Sequence, residues 1–131
     1  MSINSRTITV TGGAGFIGSH LTEYLLNLGC EVVVADDFSR GSFGSIEHLL
    51  GDDNFVPVDL STREGAIHAT EGVDDVFHIA AITNAPETFD IPEETWEVNH
   101  EAALSVYDLA REAGAKEFVN VSTCSVYGRT Q

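Results

Sequence analysis

Thr11-Gly12-Gly13-Ala14-Gly15-Phe16-Ile17-Gly18-Ser19 constrains the fold of this chain more than any other stretch. It follows Arg6-Thr7-Ile8-Thr9-Val10, a β-branched run that reads as a buried strand. It leads directly into a helical pattern with Ile17, Leu21, Leu25 and Leu28 on one expected face. A tight glycine turn between strand and helix is a place for a dinucleotide pyrophosphate. Absent Cβ atoms let the backbone approach the phosphates, and the helix N-terminus offers unpaired N–H groups and a positive dipole. Glycine strings by themselves are weak signals, and the strand–turn–helix context is what gives this one weight.

A carboxylate at the end of the next strand completes the pattern. Glu31-Val32-Val33-Val34-Ala35 reads as a short buried strand closed by Asp36-Asp37, and Asp36 stands 23 residues after Gly13. An acid about 20 residues beyond the turn accepts hydrogen bonds from the ribose hydroxyls of a bound dinucleotide. The plainer reading, that Asp36 and Asp37 only solvate a strand end, loses ground to the glycine turn upstream. Asp37 is an auxiliary candidate. A 2′-phosphate beside Asp36 would meet like charge, so NAD is expected over NADP. Arg40 is the nearby residue that could soften that preference by pairing with the phosphate.

The rest of the chain alternates strand and helix. Phe38 to Gly44 reads as a loop, Ser45 to Leu50 as a short helix, and Gly51-Asp52-Asp53-Asn54 as a turn. Phe55-Val56-Pro57-Val58 is a third strand. It belongs at an edge, because Pro57 has no ladder donor. Asp59-Leu60 closes it, and Ser61 is the expected N-cap of a helix to about Thr70, with Glu64 in the capping-box position. Val76 to Ala81 is a fourth strand and Ile82 to Asp90 a loop. Pro92 opens a long helix to Ala113, with Trp96, Asn99, Ala103, Val106 and Ala110 facing inward and Gly114 as its stop. Glu117 to Ser122 is the fifth strand. Such alternation predicts an α/β fold, a doubly wound, Rossmann-like parallel sheet of strand order 3-2-1-4-5, truncated after the fifth strand. Gly12, Asp36, Asp59, Ala80-Ala81 and Ser122-Thr123 then converge on one rim.

Composition narrows the partners. The chain has 131 residues, enough for one domain, and a 43% hydrophobic content, enough for a core. Its 21 acidic residues against 6 basic ones leave a net charge of −15, which argues against nucleic acid or an anionic membrane. The acids are scattered over the chain, as on proteins of salt-rich cytoplasms, and a halophilic source is the leading account beside ordinary acidity. No apolar run approaches the roughly 18 residues of a membrane span. The N-terminus lacks a signal-peptide core, and Cys30 and Cys124 fit a reducing, cytoplasmic setting. The five histidines show no metal-ligand spacing, so no metal is expected, and His78 reads as a satisfied strand histidine.

With these pieces in place, the sequence resembles the extended short-chain dehydrogenase/reductase family, the NAD-dependent, UDP-sugar 4-epimerase-like enzymes and dehydratases of sugar nucleotides. The matching segments are the glycine turn through His20, Asp36-Asp37-Phe38-Ser39-Arg40-Gly41, Asp59-Leu60, His78-Ile79-Ala80-Ala81, Val98-Asn99 and Val121-Ser122-Thr123-Cys124-Ser125-Val126-Tyr127-Gly128. The resemblance implies that Gly12, Gly15, Phe16, Ile17 and Gly18 hold the pyrophosphate and that Asp59 and Leu60 contact adenine. It further implies that Ala80 and Ala81 line the path to the nicotinamide ribose. Asn99 would contribute from the long helix; its alternative is a side chain satisfied by backbone. Thr123 would hydrogen-bond the sugar hydroxyl being oxidised and assist a tyrosine base from a Tyr-x-x-x-Lys motif. Cys124-Ser125 stand where the 4,6-dehydratases of the family carry Asp-Glu, so an epimerase or a related decarboxylase fits better.

No Tyr-x-x-x-Lys lies within these residues. Tyr24, Tyr107 and Tyr127 are followed four positions on by Leu28, Arg111 and Gln131. Residues 1–131 are therefore expected to be an NAD-binding domain in incomplete form without the substrate domain, either a fragment of an enzyme or a short natural protein. The open edge of the fifth strand is expected to favour homo-oligomers. An NAD-dependent sugar-nucleotide epimerase and a non-catalytic NAD-holding module both remain readings of the sequence.

Overall fold

The computed structural model describes residues 2–49, 51 and 54–129. Five parallel strands form one sheet in the order 3-2-1-4-5: β1 (Thr7–Thr11), β2 (Glu31–Asp36), β3 (Phe55–Pro57), β4 (Asp75–His78) and β5 (Glu117–Asn120). In register, β1 pairs Thr9 with Val33 and with Val76, so its β-branched run is central in the sheet. β3 pairs Asp36 with Pro57 at the outer edge, where a missing N–H leaves no ladder bond unmade.

Alternation along the strands sorts two cores. Ile8, Val10, Val32 and Val34 pack with Leu25 of α1 (Phe16–Asn27) and with Ile46 on one face. Ala35 and Val76 pack on the other with Ala66 and Ala69 of α2 (Arg63–Thr70) and Val106, Leu109 and Ala110 of α5 (Ala102–Glu112). Burying helices on both faces is what a parallel sheet requires. Among the described residues no helix is long and apolar enough to cross a membrane.

Several boundaries differ from the sequence expectation, each for a local reason. α1 buries Gly18, Thr22 and Leu25, while Ile17 and Leu28 are exposed, because the helix meets the glycine turn through its smallest residues. The helix expected over 45–50 is a 3₁₀ turn at Phe43–Ser45, and Leu50, Asp52 and Asp53 lie outside the described residues. α2 is capped by Thr62, whose Oγ1 accepts the Gly65 N–H at 3.1 Å. Ser61 is engaged instead with Asp59, its Oγ donating to Oδ1 at 2.6 Å.

Residues 82–90 are not all loop, since Ala85–Asp90 forms α3. The single long helix expected from Pro92 is interrupted. α4 (Pro92–Trp96) passes through a π turn (Glu97–Glu101) into α5. One extra residue per π turn rotates the upstream face. Trp96 and Asn99 are consequently exposed, Ala103 is half-buried, and Ala102 takes the inward position. Trp96 lies over the His100 ring at a centroid distance of 4.1 Å rather than in the core.

β5 ends at Asn120 rather than Ser122, and β4 ends at His78 rather than Ala81. At the end of β4 the Ile79 N–H still reaches the Thr11 carbonyl at 3.3 Å, and the Thr11 hydroxyl accepts the N–H groups of Ile79 and Ala80 at 3.1 and 3.3 Å. With its oxygen so occupied, Thr11 donates its proton to Nδ1 of buried His78 at 2.9 Å. His78 is therefore neutral with its proton on Nε2, and burial pushes its pKa down from 6.5 to about 4. Below about pH 6.5 the unfolded chain takes up a proton that the folded chain accepts only near 4, so stability is lost as pH falls across that window. Asparagine can keep the acceptor for Thr11 without titrating. Between pH 7 and 5, urea unfolding should show wild type losing about 2 kcal/mol relative to His78→Asn. Parallel stability curves for the two proteins would show that His78 is not buried neutral.

Candidate functional site

The carboxyl edge of the sheet holds a cavity of about 720 Å³ between the glycine turn, the ends of β2 and β3, the loop after β4, and the α4–π segment. That is the usual size of a small-molecule site. Gly12 makes its floor possible. At φ +67° it turns in the left-handed region, and a Cβ there would stand 2.8 Å from the Ala80 nitrogen. Gly18 brings α1 down on the same turn: a Cβ there would lie 2.1 Å from the Gly12 carbonyl oxygen, a contact no side chain can make. Any larger residue must push helix and turn apart, at a cost of about 1–3 kcal/mol.

The result is a helix end aimed into the groove. Gly15 is the N-cap of α1 and supplies no side-chain cap, and the first turn contains no acid. The first backbone bond of the helix is Ser19 N–H to the Gly15 carbonyl at 3.0 Å. The N–H groups of Phe16, Ile17 and Gly18 precede it and are left for an anionic ligand.

Asp36 is only 7% exposed. Its Oδ2 accepts the Ala14 N–H at 2.9 Å and its Oδ1 accepts the Phe38 N–H at 2.8 Å. The carboxylate thus ties the glycine turn to the end of β2, and each oxygen keeps a further lone pair for a ligand in the cavity it lines. Phe38, the residue that donates to it, adopts φ +59°, a costly conformation for a bulky residue. Its ring packs on Phe55 at 4.8 Å and Phe43 at 6.0 Å, which offsets the strain and holds the bend.

Gly12, Gly15, Phe16, Ile17, Gly18, Asp36, Asp37, Arg40, Asp59, Leu60, Ala80 and Ala81 all line this cavity. Two residues expected at the site do not. Asn99 turns to the backbone of Ile82, accepting its N–H at 2.7 Å and donating to its carbonyl at 2.9 Å. Both bonds tie Asn99 to the loop after Ala81. Thr123 stands past the end of β5 in extended conformation, is exposed, and accepts the Ser125 N–H at 3.2 Å.

Ile82, Thr83, Glu94 and Glu97 join the wall without having been singled out in the sequence. They arrive through the loop after β4, α4 and the π turn, none of which carries a glycine turn or a spacing that would have marked them. Among the described residues no cluster of three or more His, Cys, Asp or Glu side chains could hold a metal ion.

UDP-glucuronic acid decarboxylase 1 of Danio rerio is 36% identical over 123 residues, 94% of this chain and 28% of that protein. UDP-glucose 4-epimerase of Bacillus subtilis is 34% identical over 127 residues, 92% of this chain and 38% of that protein. The UDP-Glc/GlcNAc 4-epimerase of Campylobacter jejuni superposes with a TM-score of 0.89 at 30% identity, covering 97% of this chain and 40% of that one. The UDP-glucose-4-epimerase of Stenotrophomonas maltophila, solved with bound NAD and formylated UDP-arabinopyranose, superposes at 0.86 with 28% identity, again covering 97% and 40%. These 131 residues thus correspond to well under half of each of those proteins. Residues 8–131 match the model of the NAD dependent epimerase/dehydratase family, and the chain belongs to that family.

Proposed function

We propose that these residues form the NAD-binding part of a sugar-nucleotide epimerase acting by transient hydride transfer at a sugar hydroxyl. One observation carries the reading. An uncapped helix N-terminus, a buried carboxylate and a floor of small residues face one cavity in the order a dinucleotide needs. NAD is the family's cofactor, and when bound it would accept and return the hydride. The α1 N-terminus would hold the pyrophosphate, Asp36 the adenosine ribose, and Asp59 and Leu60 the adenine side. Ala80 and Ala81 would leave room for the nicotinamide ribose. Thr123 would position the sugar hydroxyl.

The first test is nucleotide preference. Asp36 lines the cavity with Asp37 beside it, so a 2′-phosphate would meet two carboxylates. NAD should bind at least about tenfold more tightly than NADP, a difference of about 1.4 kcal/mol. Asp36→Asn should narrow the gap in calorimetric titrations. Equal affinities in wild type would overturn the assignment of Asp36.

Chemistry is a separate matter. No Tyr-x-x-x-Lys base lies within residues 1–131, and a threonine hydroxyl is a poor base near neutral pH. A positioned acid–base group contributes about 10²–10⁴-fold. This chain with NAD and UDP-sugars should give neither epimer nor transient NADH absorbance. Turnover that vanishes in Thr123→Ala would reveal a base elsewhere, with Tyr127 the first residue to examine. The position of Thr123 outside the cavity lining also supports the second reading, a module that holds NAD without turning it over.

We read the acidic surface as adaptation to a salt-rich cytoplasm. The Debye length shrinks from about 10 Å at 0.1 M to about 3 Å at 1 M, relieving like-charge repulsion. Melting temperature should climb steeply as KCl is raised over that range. A flat profile would leave ordinary acidity as the account.

A further inference from the structure

Arg40 is the only lysine or arginine among the described residues lining the nucleotide groove. It also lines an adjoining cavity of about 510 Å³, which shares Gly15, Phe16 and Gly41 with the groove and adds the hydroxyls of Ser19, Ser42 and Ser45. The two residues that follow it anchor its loop close to Asp36. The Ser42 N–H donates to the Ala14 carbonyl at 3.1 Å, and the Ala14 N–H donates to Asp36 at 2.9 Å. A Cβ on Gly41 would stand 2.8 Å from the same Ala14 carbonyl. Arg40 therefore begins one contact away from the side chain expected to hold the ribose. Its guanidinium does not stay free. Nη2 donates to Oε1 of Glu87, which projects from α3, 47 residues along the chain. Glu87 itself does not line either cavity.

We propose that Glu87 sets the nucleotide preference of this groove by holding Arg40. The inference rests on the cofactor reading above and goes beyond it. A 2′-phosphorylated ribose seated at Asp36 would need a cation to offset Asp36 and Asp37, and a guanidinium fork is the group best shaped for a phosphate. Arg40 is the one arginine or lysine among the described residues of the groove wall, and the neighbouring cavity adds space, serine hydroxyls and the imidazoles of His20 and His48 beside one carboxylate, Glu23. Glu87 occupies part of that fork and cancels its charge. Asp36 thus excludes the 2′-phosphate by repulsion, and Glu87 excludes it by withholding the guanidinium that would compensate. Glu87 acts through Arg40 and is a positioning residue.

Calorimetric titration of the chain with NAD and with NADP tests this in wild type, Glu87→Gln, Arg40→Gln and the double variant. Both side chains are about one-third exposed, and substitutions at such sites are generally tolerated by the fold. Glu87→Gln should raise NADP affinity about tenfold, while NAD affinity moves by less than about twofold, since the released fork gains a charge-assisted contact only with the phosphorylated nucleotide. The gain should disappear in the double variant, and Glu87→Asp, which keeps the charge, should retain the NAD preference. An unchanged NADP to NAD ratio in Glu87→Gln would overturn the proposal. So would an equal rise or fall of both affinities, the mark of a merely structural pair, or a gain that survives loss of Arg40. NAD binding in wild type with an unmoved ratio defeats this inference alone. Failure of every form to bind either nucleotide defeats the cofactor reading and the inference with it.

Discussion

The carboxyl edge of the sheet depends on how closely three backbone segments approach at Gly12. The turn after β1, the first turn of α1 and the loop after β4 meet there at distances that leave no room for a Cβ on Gly12 or Gly18. Thr11 fixes the same junction from below, its hydroxyl accepting from Ile79 and Ala80 while donating to His78. Asp36 fixes it from the side through the Ala14 N–H. Bringing three segments of backbone so near leaves N–H groups directed into one space, an arrangement suited to an anionic group.

Charge is used sparingly against a strongly acidic background. Among the described residues four of the six basic side chains are paired with acids, Arg6 with Asp75, Lys116 with Asp74, Arg111 with Asp108 and Arg40 with Glu87. Arg6 and Lys116 bind the starts of β1, β4 and β5 together at the end of the sheet opposite the groove. There the Lys116 hydrogen bond, followed by the Thr7 N–H, holds the Asp74 carboxyl below its usual range. Arg40 is placed at the groove. Exposed pairs of this kind contribute little stability singly. Their interest lies in position, since few cations are present to reach an anionic ligand.

Local chemistry made much of this legible in the sequence. β-branched runs marked β1 and β2, Pro57 marked an edge strand, and the glycine spacing with Asp36 marked residues that line one cavity. The less legible parts are those where one residue's surroundings override its own pattern. Ser61 and Thr62 are equivalent as caps until Asp59 engages Ser61. Trp96 continues the apolar stripe of α5 by spacing, yet the π turn rotates it outward. Asn99 was legible as a polar residue near the groove, but its two bonds to Ile82 exist only because the loop after β4 passes beside it.

The sequence by itself determined the strand order, the glycine turn and the acid at the end of β2. Those features rest on steric rules and spacings that act within a few residues or through the handedness of β-α-β crossovers. Only the tertiary structure decided that Thr11 and His78 form a hydrogen bond at the groove floor and that α3 forms at 85–90. It alone decided that Glu87 on that helix reaches Arg40. Each of those joins residues far apart in the chain, and no local propensity records which distant partner will satisfy a buried hydroxyl or a lone cation.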